Sequence, residues 1–274
     1  MKFVKLTSGG RIILYNIDKV VPVIPVLLLL ILWALMAWFI AYSFEIQFPG
    51  PLETFRQLYQ YLLGQPLFEQ SIYVHVYFSL KRFVFGLTFA AMAGIFLGLM
   101  LGYSRFAKEH LYPIVSILQP IPSIAWIPIV IMLIGIGDMA TISIIFLAAI
   151  WPNIVNTVAG AESVPENYLR VAQMFRLRKL QVFAKIIVPH SIPYIINGLR
   201  ISVANSWRAL VAAEMIAATG TGLGYVILNS RVYLDYTTAL ACIVIIAVIG
   251  YTLEKIVFQH VEYVTLKKWG MVTA

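Results

Sequence analysis

Six apolar runs, near positions 20–43, 81–103, 113–134, 140–160, 193–216 and 237–257, set the pattern of this chain. Each is long enough to cross roughly 30 Å of hydrocarbon as a helix of about 20 residues. They predict an all-α, polytopic membrane protein with about six transmembrane helices. Only Gly135 to Met139 separates the third run from the fourth, so a helical hairpin is expected there. The long polar interruption Ser163–Pro193 has a different pattern. Apolar residues at Tyr168, Val171, Ala172 and Phe175 follow the i, i+3, i+4, i+7 spacing of one helical face, with Asn167, Arg170 and Gln173 off it. The pattern returns at Leu180, Phe183, Ala184 and Ile187. Ser163 with Glu166 three residues on predicts a capping box, with Pro165 in the first turn, and Pro189 and Pro193 are expected to break the second helix. Two short amphipathic helices at an angle, joined by a basic knot of Arg176, Arg178 and Lys179, are the expected product.

The remaining segments follow from that frame. An N-terminal segment 1–19 precedes a first span and external segment 20–76; a core 77–260 contains the polar loop 161–192, and a tail 261–274 carries Lys267-Lys268-Trp269 as an interfacial anchor. The first apolar stretch, Val20 to Tyr42, exceeds the roughly 7–15 residues of a cleavable signal core, so it reads as a retained span. Between Glu45 and Val76, helical spacing at Leu52, Phe55, Leu58 and Leu62 predicts a helix resting on the membrane surface. Gly86, Gly94, Gly98 and Gly102 in the second run predict close approach of another helix. Pro120, Pro122 and Pro128 in the third run, and Trp151-Pro152-Asn153 with Asn156 in the fourth, suggest broken helices walling a pathway. Kinks that only shape packing explain each residue taken alone about as well.

Composition supports the membrane reading: 61% of the 274 residues are hydrophobic and 12% charged, against about 25% charged in soluble domains. The net charge of +8 is not gathered into a patch with interleaved aromatics, which sets nucleic acid aside. Its distribution orients the chain instead. Fourteen of the 20 Lys and Arg residues fall on the side of the termini and the polar loop, and the opposite loops hold only Arg56 and Arg231. By the positive-inside rule both termini and that loop are expected in the cytoplasm. Lys81, Arg82, Arg200 and Arg208 lie at or within spans.

The fifth run holds two ionisable groups expected deep in the membrane, Arg208 and Glu214, beside Asn205, Ser206 and Trp207. Such residues normally face a bundle interior or water. At about 100° per residue the two stand roughly 120° apart around the helix, so each needs a partner elsewhere. Asn153, Asn156, Asn205, Arg208 and Glu214 are therefore the candidate pathway residues. Gly220, Gly222 and Gly224 follow in an external turn that lacks the lysine of a phosphate loop. His75, His110, His190 and His260 share no metal-ligand spacing, Cys242 reads as a buried small hydrophobe, and the chain has no GxxxxGK[ST] motif. Neither a metal, a bound cofactor nor a covalent reaction is expected.

Three stretches carry a resemblance: QPIPSIAWIPIVIMLIGIGD, IIVPHSIPYIINGLRISVANSW and ALVAAEMIAATGTGLGYVI. In this order and spacing, from about Phe78 to Ile256, they resemble the permease subunits of bacterial binding-protein-dependent ABC importers, in the nitrate, sulfonate, taurine and bicarbonate branch. The resemblance implies the type I permease fold in the bacterial cytoplasmic membrane. Its implied partners are two cytoplasmic ATP-binding subunits, which hold the ATP and magnesium, a second permease copy and an extracytoplasmic solute-binding protein. It also implies that the polar loop is the coupling segment docking on the ATPase, through Tyr168, Val171, Ala172, Phe175, Arg176 and Arg178. Where the family has Glu-Ala-Ala and then glycine, this chain has Arg170, Val171, Ala172 and Arg176. The expected cargo is a small anion such as a sulfonate, taurine, nitrate or bicarbonate. The alternatives are an ion-coupled secondary transporter using Glu214, which predicts internal repeats that are not evident, and an intramembrane enzyme, which lacks a catalytic constellation.

Overall fold

The computed structural model describes residues 4–6, 12–14, 23–45 and 48–257. Most of the N-terminal segment 1–19 and the tail anchor Lys267-Lys268-Trp269 lie outside them. The elements in order are a small antiparallel hairpin β1 (Val4–Leu6) and β2 (Ile12–Leu14), then α1 (Val23–Phe44), α2 (Pro51–Leu62), α3 (Ile72–Tyr103), α4 (Arg105–Leu118), α5 (Ile127–Ile134), α6 (Asp138–Glu162), α7 (Glu166–Met174), α8 (Lys179–Val182), α9 (Val188–Ala217), α10 (Leu223–Val232) and α11 (Tyr236–Tyr251). Among the described residues five helical runs are long and apolar enough to span a membrane, and α4 with the segment ending in α5 forms a sixth, bent pair.

The core is α6, packed on one side by α3 and on the other by α9. The α3 contact is a ladder of small residues. Gly86, Ala90, Gly94, Gly98 and Gly102 recur every four residues, and a Cβ at Gly98 would fall 2.5 Å from Thr157 Cβ and 2.9 Å from the Ile154 carbonyl. At the four glycine positions no side chain fits between the two backbones, and the close approach is the one their spacing predicts. On the other side Ser202 Oγ donates to the Ala149 carbonyl (2.8 Å), and Asn197 to Asn156 Oδ1 (2.8 Å). Helix α2 forms where expected but does more than rest on a surface. It is amphipathic, with Leu52, Phe55 and Leu62 outward, and its inward Tyr61 hydroxyl bonds Thr238 of α11. Burial raises the pKa of that phenol above its ordinary value.

Four sequence expectations are corrected. The helix that contains the second apolar run begins at Ile72, not 81, so residues 72–76 of the segment expected between the first two runs are part of α3. The third span, expected over 113–134, starts at Arg105 and breaks after Leu118, turning by 89° before a 3₁₀ turn at Ser123–Trp126 and α5. Pro120 and Pro122 each remove a backbone donor just where α4 ends, whereas Pro113 and Pro128 are tolerated within α4 and at the start of α5. Pro189 and Pro193 do not end a helix. From Lys179 to Ala217 the chain is one helical run of 39 residues, with a π-helical stretch at Phe183–Ile187 immediately before α9. A proline ring clashes with the carbonyl four residues back, here Lys185 for Pro189, and the wider π turn accommodates it without a break. Finally, the Ser163–Glu166 capping box is not formed: Pro165 is the N-cap of α7, Ser163 Oγ donates to the Gly160 carbonyl (2.9 Å), and Glu166 pairs with Arg170 (2.6 Å).

Candidate functional site

The break between α4 and α5 opens a half-enclosed cavity of about 480 Å³ against α6 and α9. Its walls are the bent segment Gln119–Ile124, the Trp151–Pro152 corner with Val155 and Asn156 of α6, and Ile201, Asn205 and Arg208 of α9. The broken helix exists because of its prolines, and it gives the cavity a backbone wall where an unbroken helix would present only side chains. Arg208 is exposed and donates to Asn205 Oδ1 three residues back (2.7 Å), and none of the ion pairs among the described residues includes it. The cavity thus carries one positive charge fixed by an amide, with further amides at Asn156 and Gln119, in an otherwise apolar lining.

Of the five candidate pathway residues, Asn156, Asn205 and Arg208 come together here. Asn153 does not: it is buried against Gly94, donates to the Ala149 carbonyl (2.9 Å) and leaves its Oδ1 without a protein partner, so it faces α3 while Asn156 faces α9. Glu214 lies away from the cavity, fully buried at the far end of α9. It accepts from Arg82 (2.8 Å), from Ser79 (2.8 Å) and from the Gly224 amide (3.0 Å). Its position six residues from Arg208 gave no intrahelical pair, as the helical angle required. The partner is Arg82, which the sequence places only at the edge of the second apolar run; its depth inside a helix follows from α3 beginning ten residues earlier, at Ile72. The available signal is that Glu214 is the one acidic residue in the apolar part of α9, and that Arg82 is a basic residue inside another apolar helix.

At the opposite end of α9 lies the polar loop. In α7 and its C-cap, Tyr168, Val171 and Phe175 are 59%, 49% and 76% exposed, whereas Ala172 is 2% exposed and turned into the chain. The expected apolar face is therefore a ridge of three large side chains with Ala172 beneath it. Arg176 adopts φ +51°, the left-handed conformation that glycine takes most easily. The turn that follows α7 thus has a glycine's shape without a glycine. Arg178 is the N-cap of α8, with its amide donating to Gln181 Oε1 (2.8 Å), and its side chain is exposed. Close by, Lys108 of α4 pairs with Glu162 at the end of α6 (2.6 Å). No cluster of metal-ligating side chains occurs among the described residues.

A bundle of this layout, with a broken helix and a helical loop projecting from one end, has a counterpart among solved membrane transporters. A chain of the MetNI methionine ABC transporter in inward-facing conformations superposes with a TM-score of 0.59, covering 68% of this chain and 92% of that one at 19% identity, which speaks to fold alone. The sequence places it more closely: the chain belongs to the binding-protein-dependent transport system inner membrane components, whose family model matches residues 90–262. Among curated relatives, the nitrate import permease protein NrtB of Synechocystis sp. is 32% identical over 89% of this chain and 88% of its own length. The bicarbonate transport system permease protein CmpB of Synechococcus elongatus is 31% identical over 86% of each. The taurine transport system permease protein TauC of Escherichia coli is 34% identical over 75% of this chain and 74% of its own. The chain is accordingly a multi-pass inner-membrane permease, a non-catalytic subunit of an ABC importer of the nitrate, bicarbonate and taurine branch. Membership implies an ATPase and a solute-binding protein as partners.

Proposed function

We propose that this chain forms, with a second copy of itself, the membrane pathway for a small oxyanion of the nitrate, bicarbonate or sulfonate type, delivered by an extracytoplasmic binding protein. Two ATPase subunits, which hold ATP and magnesium, dock on the exposed ridge of α7, and both termini and that ridge face the cytoplasm. The observation that carries the reading is the cavity beside the broken helix, in which Arg208 is the charged group and its own neighbour Asn205 leaves it cationic. A guanidinium with no carboxylate partner attracts anions and repels cations. An amide-rich, otherwise apolar wall holds them weakly enough to release. The relatives' names support the same solute class. Burial of Glu214 in an ion pair argues against its use as a proton-coupling site.

The test is uptake and binding-protein-stimulated ATP hydrolysis by the reconstituted complex, screened with nitrate, bicarbonate, taurine and an uncharged solute. Arg208→Gln should lower anion uptake by tenfold or more, as one lost charge-assisted hydrogen bond of about 1.5–3 kcal/mol predicts. Unchanged uptake in protein of normal abundance would remove Arg208 from the pathway.

A further inference from the structure

We infer that Arg82 is a positioning residue for coupled transport, holding the end of α9 remote from the coupling ridge to α3, α6 and the turn before α10 so that the helix acts as one lever. The inference rests on the docking role given to that ridge above. Its starting point is continuity. The helical run Lys179–Ala217 has 39 residues, about 58 Å at 1.5 Å per residue. It begins next to the ridge, carries Asn205 and Arg208 past the cavity, and ends beside Glu214. A lever transmits displacement only when its far end is fastened to what it must move.

Arg82 supplies the fastening. It is 1% exposed, and four of its five N–H donors make hydrogen bonds, with Nη2 also in ion-pair contact with Asp138. Nη1 donates to Glu214 of α9 (2.8 Å) and to the Thr221 carbonyl (2.7 Å). Nε and Nη2 reach Asp138 at the start of α6 (2.8 and 2.7 Å), and Nη2 also reaches Thr221 Oγ1 (3.0 Å). One side chain of α3 thereby fixes three other elements. The turn is shaped around it: Gly222 sits at φ +123°, and a Cβ there would lie 2.7 Å from Arg82 Nη1 and 2.6 Å from Glu214 Oε1. An apolar plug of similar volume would hold such helix ends as stably as a buried ion pair does. What the forked, charged form adds is a fixed register among them. With the knot intact, displacement of the ridge end of the run carries the cavity wall and the turn with it. With the knot loosened, the ridge end moves alone, and ATP is hydrolysed without solute movement.

The experiment uses the full complex in lipid vesicles. ATP hydrolysis is measured with and without solute-loaded binding protein, together with solute taken up per ATP, for Arg82→Lys, Asp138→Asn and Thr221→Val. Each variant removes part of the knot and leaves the rest. The expected result is a several-fold rise in hydrolysis without binding protein and a several-fold fall in solute per ATP, in complexes of normal composition. If Arg82→Lys does not assemble, Asp138→Asn and Thr221→Val decide. Hydrolysis and uptake that stay unchanged, or that fall in the same proportion, overturn the inference and leave Arg82 a packing residue. Failure of the docking reading has a separate readout, since ATPase would then remain bound after charge is placed on the ridge.

Discussion

Placing a carboxylate at Phe175 is the most direct challenge to the coupling reading. Phe175 is 76% exposed and stands between Val171 and the left-handed turn at Arg176, so about three quarters of its side chain is free to be covered by a partner. Full burial of a phenylalanine is worth about 1.5–3 kcal/mol, so docking should recover about 1–2 kcal/mol there. Phe175→Glu forfeits that and leaves an unpaired carboxylate in the contact, for a further cost of about 1–3 kcal/mol. The combined loss of about 2–5 kcal/mol corresponds to a dissociation constant raised between about thirtyfold and several thousandfold. Because the side chain is exposed in the isolated chain, membrane insertion and permease abundance should not change. The assay is co-purification of the ATPase through a tag on the permease, with uptake measured in parallel. Stoichiometric ATPase and full uptake in Phe175→Glu would refute the reasoning and favour α7 lying flat on the inner membrane surface through Arg176, Arg178 and Lys179.

Other outcomes follow from the same geometry. Arg176→Gly relieves a left-handed residue of about 1–2 kcal/mol of strain, offset by about 0.5–1 kcal/mol of added chain entropy, so uptake should hold and the melting temperature should not fall. A loss of ATPase retention in that variant would instead show that the guanidinium itself touches the partner. Gly98→Ala should destabilise the α3–α6 contact by about 1–3 kcal/mol, read as a lower detergent melting temperature, because its Cβ would fall 2.5 Å from Thr157 Cβ. The half-exposed pair Lys108–Glu162 should show a coupling energy below about 1 kcal/mol in a double-alanine cycle of thermal stability. A larger value would mean the pair is shielded in the assembled complex.

Periodicity alone locates the helical runs in outline, the glycine ladder and the amphipathic ridge, because each is a local property: apolar length sets a run, and recurrence at three and four residues sets a helix face. Five polar groups inside apolar runs are also legible as candidates, and of these Asn156, Asn205 and Arg208 meet at one cavity while Asn153 and Glu214 do not. Their partners were not legible. Arg82 and Glu214 are 132 residues apart, and only the packing of α3 and α9 around α6 brings their side chains within 2.8 Å. The same holds for Asn153 and Asn156, one turn apart in sequence, which the crossing helices assign to opposite neighbours. Proline showed the limit in a third way. Pro120 and Pro122 break their helix, whereas Pro189 and Pro193 do not, because a continuous core surface and a π turn hold α9 together where no equivalent contact holds Gln119 to Pro122. Apolar runs and apolar helix faces are local properties and follow from residue order, whereas the meeting of Arg82 with Glu214 required α6 to bring α3 and α9 to its two sides, since an ion pair depends on distances that no local pattern contains.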